Sequence, residues 1–418
     1  MSFVKTSFYS AISTSISLIT KLISNKIVAV YLGTHGMFLL GQLKDLIKIS
    51  SIASDLGTSN GIIKYVAEYE QIPKKLNAFL GSGFKLHLLS SVIVCILIFA
   101  FRYQISTYLF DDLKFSNALA LLSISFVTLS LNTFFISVLN GLRNIKFYVV
   151  INIISTIISA TITILMVINH KIIGAFYAIA INQILIFFIS LLFIVSYKLV
   201  DLKGLKKPLT KFHFKNLTKF SLMALTGPLS LVVTTLYVRS FLLEELGNDY
   251  AGSWEGMWRI SAMYLLFLTT TFRFYIVPTF SSLSGNDLKK EIIKIWSIVT
   301  PIIIVITLSV YVLKDTIISL LFSKEFILIN TIILFHLLGD AFKMNSWVLG
   351  NILISKARTK AFVLFQIFWG VIFCLLTVIL VNGYGFIGVS IAYFISYIIH
   401  FIGMNIYFRK LLWVKQKH

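Results

Sequence analysis

Residues 146–197 read KFYVVINIISTIISATITILMVINHKIIGAFYAIAINQILIFFISLLFIVSY. The stretch contains no acid and no arginine, and its strongest polar break is Asn169-His170-Lys171, near the middle. About 20 apolar residues cross a bilayer as a helix, and helices are admitted because their backbone groups pair internally. The stretch therefore divides into two spans, 146–168 and 172–197, joined by a short outer turn. Extended in both directions, the same reading adds 8–32, 37–66, 79–101 and 117–141 before it. After it come 217–246, 253–283, 292–313, 326–355, 361–382 and 384–408. Spans two, eight and ten are long, so they tilt, kink or run past the bilayer surface. The whole chain is 58% hydrophobic and 13% charged, with a mean hydropathy of +0.91. Soluble domains carry about 25% charged residues. The fold class is an all-α polytopic membrane protein of about twelve transmembrane helices.

The two halves repeat at an offset of 214 residues. Lys5 maps to Lys219, Ser7 to Ser221 and Thr20 to Thr234. Leu32-Gly33 maps to Leu246-Gly247, Lys146 to Lys360, Ile173-Gly174 to Ile387-Gly388, and Ala178 to Ala392. Six spans per half is an even number, so both halves enter the membrane in the same orientation. The expected arrangement is two six-helix lobes, 1–197 and 217–418, related by a parallel pseudo-twofold. The basic segment 198–216 is a cytoplasmic linker.

The net charge of +21 does not call for nucleic acid. With both termini in the cytoplasm, 22 Lys and Arg residues fall in the cytoplasmic loops or at the span ends that adjoin them, and 5 on the outer side. That is the positive-inside pattern. The first apolar segment is too long for a signal-peptide core and carries Lys21 and Lys26, so no cleaved leader is expected. Cys95 and Cys374 lie in different spans, and the His residues are scattered, so neither disulfide framework nor metal site is indicated.

The remaining ten cations lie deeper within the spans: Lys21, Lys26, Lys44, Lys48, Lys64, Lys85, Arg239, Arg259, Arg273 and Lys343. Each costs at least about 2.5 kcal/mol in hydrocarbon unless it meets water or a partner. Nearby acids are few, chiefly Asp45, Asp55, Glu255 and Asp340. Lys64 and Lys85 sit near the cytoplasmic side, where snorkelling accounts for them. Lys21, Lys26, Lys44, Lys48, Arg239, Arg259, Arg273 and Lys343 are the candidates for a cationic cavity holding a phosphate-bearing guest. Arg grips phosphate with two parallel bonds, whereas Lys acts as a point charge. Asp340, one turn from Lys343, and Asp55 are candidates for coupling to an ion. A static Asp340–Lys343 bridge is the structural alternative. The outer pair Asp111-Asp112 reads as a solvated turn. There is no Gly-rich phosphate loop ending in Lys-Ser/Thr, so the chain is not expected to hydrolyse ATP, and no cofactor is indicated.

Asn60-Gly61 followed by Lys64-Tyr65-Val66-Ala67-Glu68-Tyr69 resembles the end of span two in Wzx-type polysaccharide flippases. Lys219-Phe220 with Leu222-Met223-Ala224-Leu225 resembles that family's start of span seven. Further similarities are Gly252, Trp254, Gly256, Tyr264 and Pro278 in span eight, Gly339-Asp340 with Lys343 in span ten, and Lys356-Ala357. The resemblance runs end to end and places the chain among the multidrug/oligosaccharidyl-lipid/polysaccharide exporters. It implies a flippase of the bacterial inner membrane. The substrate would be an undecaprenyl-diphosphate-linked oligosaccharide, an O-antigen or common-antigen repeat unit. Transfer from inner to outer leaflet would use alternating access through a cationic central cavity. Implied partners are the lipid-linked glycan, membrane lipid, a coupling proton or sodium ion, and other polysaccharide assembly proteins. A cation-coupled exporter of another solute is the alternative, although cationic drugs would call for an acidic cavity. A polymerase is disfavoured by the missing large outer loop.

Overall fold

A computed structural model describes the backbone of residues 3–142, 145–210, 217, 221–356 and 358–413. The side chains of Lys21 and Arg273 lie outside the described residues. So do the Lys5–Lys219 and Ser7–Ser221 repeat pairs, and the motif residues Asn60, Phe220, Leu222, Met223, Ala224, Pro278 and Ala357. Among the described residues, eight helices are long and apolar enough to cross a membrane.

Packing divides the chain into two compact units. Unit 1 comprises residues 1–32 and 39–225, and unit 2 comprises 33–38 and 226–418. Unit 1 contains α1 (Phe3–Asp55, apart from its bend at 33–38), α2 (Ser59–Tyr69), α3 (Pro73–Ala100), α4 (Arg102–Phe110), α5 (Ser116–Gly141) and α6 (Ile145–Ser196). Its core gathers Ile62 and Val66 of α2, Phe79 and Leu86 of α3, and Phe134 and Val138 of α5. The first part of the expected linker folds as a short 3-10 turn, Leu202–Lys206, on α3. There Asn77 donates to Asp201 at 2.9 Å, and Gly81 and Gly204 permit the close approach.

Span two is broken, as its length suggested. Leu56 and Gly57 take left-handed φ values of 52° and 63°, and the chain restarts as α2.

Unit 2 contains α7 (Ser221–Leu246, from Thr226 onward), α8 (Asn248–Ser282), α9 (Gly285–Val312), α10 (Lys314–Leu321), α11 (Ile329–Ser355), α12 (Thr359–Tyr384), α13 (Ile387–Tyr407) and the short α14 (Arg409–Leu412). At the centre, α11 packs on α8, α9 and α13. Residues 33–38 join this unit: the Thr34 hydroxyl donates to Asp249 at 2.5 Å and its backbone N–H to Glu325 at 3.3 Å.

The 214-residue offset recurs in the backbone. Gly33 (φ 62°, ψ −166°) breaks α1, and Gly247 (φ 100°, ψ 179°) separates α7 from α8. Lys171 (φ 50°, ψ −132°) breaks α6, and Gly385 (φ 64°, ψ −146°) separates α12 from α13. A Cβ on Gly174 would collide with the Met166 carbonyl, and one on Gly388 would collide with the Leu380 carbonyl. Met166 and Leu380 stand at the same offset. Repetition in sequence is therefore matched by repetition of the same turns.

Lys171 alone among these four turn positions carries a side chain in a conformation that glycine adopts freely. Such a conformation costs of order 1–3 kcal/mol. Lys171→Gly should therefore stabilise the protein by about 1 kcal/mol after glycine's larger unfolded-state entropy is deducted. A thermal melt in detergent checks this, and an unchanged or lowered Tm sinks it.

Candidate functional site

Two clusters of buried charge occupy unit 2. The first joins α7 to α8. Arg239 is 3% exposed, and its Nη2 donates to Glu255 Oε2 at 2.9 Å. Arg259, one turn beyond Glu255, donates from Nε to Oε1 at 3.2 Å. One carboxylate thus serves two guanidinium groups. The Arg239 guanidinium also lies 5.9 Å from the Trp254 ring centroid.

The second cluster centres on Asp340 of α11, which is fully buried. Gly339 beside it has no Cβ, and one built there would collide with the Tyr393 ring. This lets α13 approach until Tyr393 donates to Asp340 Oδ1 at 2.7 Å. Ser261 of α8 donates to Oδ2 at 2.6 Å, Tyr264 donates to the same oxygen, and Lys343 Nζ stands 3.8 Å from Oδ1. An ionised carboxylate offers about four lone-pair sites; three hydroxyls bond to this one and the Lys343 ammonium lies just beyond bonding distance. Lys343 donates to Tyr393 OH at 3.0 Å, and its ammonium lies 5.0 Å from the Trp258 centroid and 5.6 Å from those of Tyr393 and Tyr397. Trp254 and Trp258 meet edge to face at 5.7 Å and link the two clusters. His336, fully buried, stacks on Tyr393 at 4.2 Å, and neither ring nitrogen has a hydrogen-bond partner among the described residues.

Other expected site residues fall elsewhere. Lys44 and Lys48 of α1 are exposed, while Asp45 between them is buried. Lys26 is half-buried. Asp55 serves locally. Its carboxylate accepts the Gly57 N–H at 2.8 Å and its carbonyl accepts from Thr58, so it closes the turn between α1 and α2. Nearby, His87 reaches Thr58 at 2.9 Å and Ser130 at 3.0 Å. Lys64 lies against Tyr65, and Lys85 reaches the Lys206 carbonyl. In the Asp111-Asp112 pair, Asp111 is a left-handed helix cap, and Asp112 accepts the Lys114 N–H at 2.9 Å. Hydrogen bonds from Lys114 hold the Asp112 carboxyl below the usual carboxylate range. This is a solvated turn.

Sequence reasoning reached Asp340, Lys343, Arg239, Arg259 and Glu255 but did not assign the hydroxyl and aromatic residues around them. The available signal was spacing. Trp254, Trp258 and Ser261 recur at helical intervals on α8, as do Tyr393, Tyr397 and His400 on α13. Among the described residues, no group of His, Cys, Asp and Glu could hold a metal ion.

Residues 39–329 match a family described as "Polysaccharide biosynthesis protein". The Lipid III flippase of Escherichia coli K12 is 26% identical over 406 residues, covering 96% of this chain and 97% of that protein. Among solved structures, an inward-facing multidrug resistance MATE family transporter of the MOP superfamily superposes with a TM-score of 0.73 at 14% identity, covering 94% of this chain and 95% of that one. A MOP superfamily transporter from Pyrococcus furiosus, described by a reversed polarity of its binding pocket, gives 0.70 at 13% identity, covering 97% and 96%. The chain has the fold of these transporters.

Proposed function

The chain belongs to the polysaccharide biosynthesis protein family, and on that premise we propose that it is a flippase for an undecaprenyl-diphosphate-linked oligosaccharide. It passes an O-antigen or common-antigen type repeat unit from the cytoplasmic to the outer leaflet of a bacterial inner membrane. Twelve spans in two six-helix lobes carry this out by alternating access, with both termini in the cytoplasm. The observation that carries the reading is the end-to-end likeness to a protein named for flipping lipid III.

The physical requirement is to shield a diphosphate, because charge placed unaided in hydrocarbon is prohibitive. Arg239 and Arg259 share the Glu255 carboxylate, and a diphosphate can take its place between them. Lys343, and Lys26, Lys44 and Lys48 of α1, add point charges along the route, with Lys21 and Arg273 in the same role. Asp340 couples transport to a proton or sodium gradient. Three hydroxyls hydrogen-bond its carboxylate and the Lys343 ammonium stands 3.8 Å away, so an incoming proton or ion requires a conformation in which some of these groups withdraw. Asp55 is the second coupling candidate, and its place in a turn argues for a structural duty. Other polysaccharide assembly proteins receive the product.

The test is direct. A strain lacking the protein should accumulate lipid-linked repeat units on the cytoplasmic face of its inner membrane. The purified protein in liposomes should speed their transfer between leaflets. Efflux of organic cations with no effect on lipid-linked glycans would replace this reading with that of a drug exporter.

A further inference from the structure

The 214-residue register reveals an asymmetry between the units. Unit 1 holds a cavity of about 410 Å³ lined by α1, α5 and both arms of α6. That is within the range of small-molecule sites, about 300–1,000 Å³. Hydroxyls and carboxamides make its wall, among them Ser24, Asn132, Asn152, Ser155, Ser159 and Gln183, and no charged side chain lines it among the described residues. Asn132 Oδ1, Ser155 Oγ and Ser159 Oγ are buried with no hydrogen-bond partner among the described residues. Ser155 is only 6% exposed. Leaving such atoms unpaired costs about 1–3 kcal/mol each, so a folded protein keeps them for a reason.

At the matching positions of unit 2, Ser155, Ser159 and Gln183 become Trp369, Phe373 and Tyr397. Trp369 is 3% exposed, Phe373 is fully buried and Tyr397 is 7% exposed. Trp369 stacks on Phe373 at 5.7 Å and meets Tyr397 at 5.0 Å. Aromatic rings fill in unit 2 the place that unit 1 keeps open and polar. The unit 1 cavity is therefore not a general consequence of the fold.

Its chemistry defines its guest. A wall of neutral donors and acceptors suits a ligand whose groups both donate and accept, which describes sugar hydroxyls. It offers a diphosphate no compensating charge, for which Lys or Arg is the better partner. We propose that this cavity is the glycan subsite: it binds the hydroxyl-bearing sugars of the lipid-linked substrate, separately from the cations that take its diphosphate. The proposal rests on the flippase reading above.

The full-length protein in lipid nanodiscs tests it with two probes. One is the lipid-linked glycan that accumulates in the strain lacking the protein, and the other is undecaprenyl diphosphate without sugar. Ser159→Phe copies the filling seen in unit 2, and the pair Asn152→Leu with Gln183→Met removes polar groups at nearly constant volume. Both should weaken binding of the glycan-bearing lipid about tenfold or more, as when a site built to bond hydroxyls loses its partners. Affinity for the sugar-free lipid should stay at the wild-type value. If Ser159→Phe fails to fold, the second variant decides. Equal weakening of both lipids, or an unchanged affinity for the glycan-bearing one, overturns the subsite and leaves the flippase reading standing. If no lipid-linked glycan accumulates and none binds the wild type, both fall together.

Discussion

Glu255→Ala should cost most of the folded protein, whereas Arg239→Ala should leave it in the membrane at near-normal level and abolish polysaccharide export. The difference follows from the sharing of one carboxylate. Removing Glu255 leaves two guanidinium groups facing each other in the interior, and breaking a buried ion pair from one side costs about 3–5 kcal/mol. Removing Arg239 leaves Glu255 still bonded to Arg259, so the carboxylate keeps a partner, but one of the two guanidinium charges offered to a diphosphate is gone. Arg239→Lys should keep part of the function, since the charge stays and only the two-pronged geometry is lost. Membrane protein level and surface polysaccharide, measured on the same cells, check the set. A near-normal level of Glu255→Ala, or loss of Arg239→Ala protein from the membrane, would show that the cluster is not organised as a shared pair.

Asp340→Asn should separate transport from its driving gradient. Liposomes containing the variant would then flip lipid-linked glycan at one rate with or without an imposed proton or sodium gradient. Asp340→Glu should keep part of the gradient dependence. The hydroxyls of Ser261, Tyr264 and Tyr393 and the Lys343 ammonium all converge on this carboxylate. An amide cannot change its charge, so it cannot report the approach or withdrawal of these donors. The competing idea is a static bridge between Asp340 and Lys343. Replacing both by neutral residues decides between them. Gradient-driven flipping restored in the double variant would make the pair structural and move the coupling site elsewhere.

The architecture was legible because membrane spans are written in continuous apolar runs, and because the 214-residue offset marks both halves with the same turns. Gly33 and Gly247 stand out in the sequence for that reason. Lys171 does not, since nothing in a lysine announces a glycine-like backbone, and only its alignment with Gly385 points to it. The buried charge clusters of the candidate site were legible where charge interrupts the apolar runs, at Arg239, Arg259, Asp340 and Lys343. The neutral groups of the unit 1 cavity were not legible in this way. Ser, Thr and Asn are common in membrane helices, so a cavity built from Ser155, Ser159 and Gln183 gives no compositional signal. The pairing of Arg239 with Glu255 was hidden for another reason, because the two residues lie on different helices. Arg259 stands four positions from Glu255 on one helix, and that contact was open to sequence reasoning.

The aromatic box around Lys343 makes the protein its own optical probe. All six tryptophans, Trp254, Trp258, Trp296, Trp347, Trp369 and Trp413, belong to unit 2, and unit 1 has none. Indole emission therefore reports one half of the molecule while the other half stays dark. Trp258 lies beside the Lys343 ammonium and meets His336 edge to face at 5.6 Å, so a change of charge around Asp340 should alter its emission without any added label. Sugar entering unit 1 meets no fluorophore of this kind. An emission change produced by the glycan-bearing lipid but not by undecaprenyl diphosphate without sugar would thus be a signal carried from the dark half to the bright one.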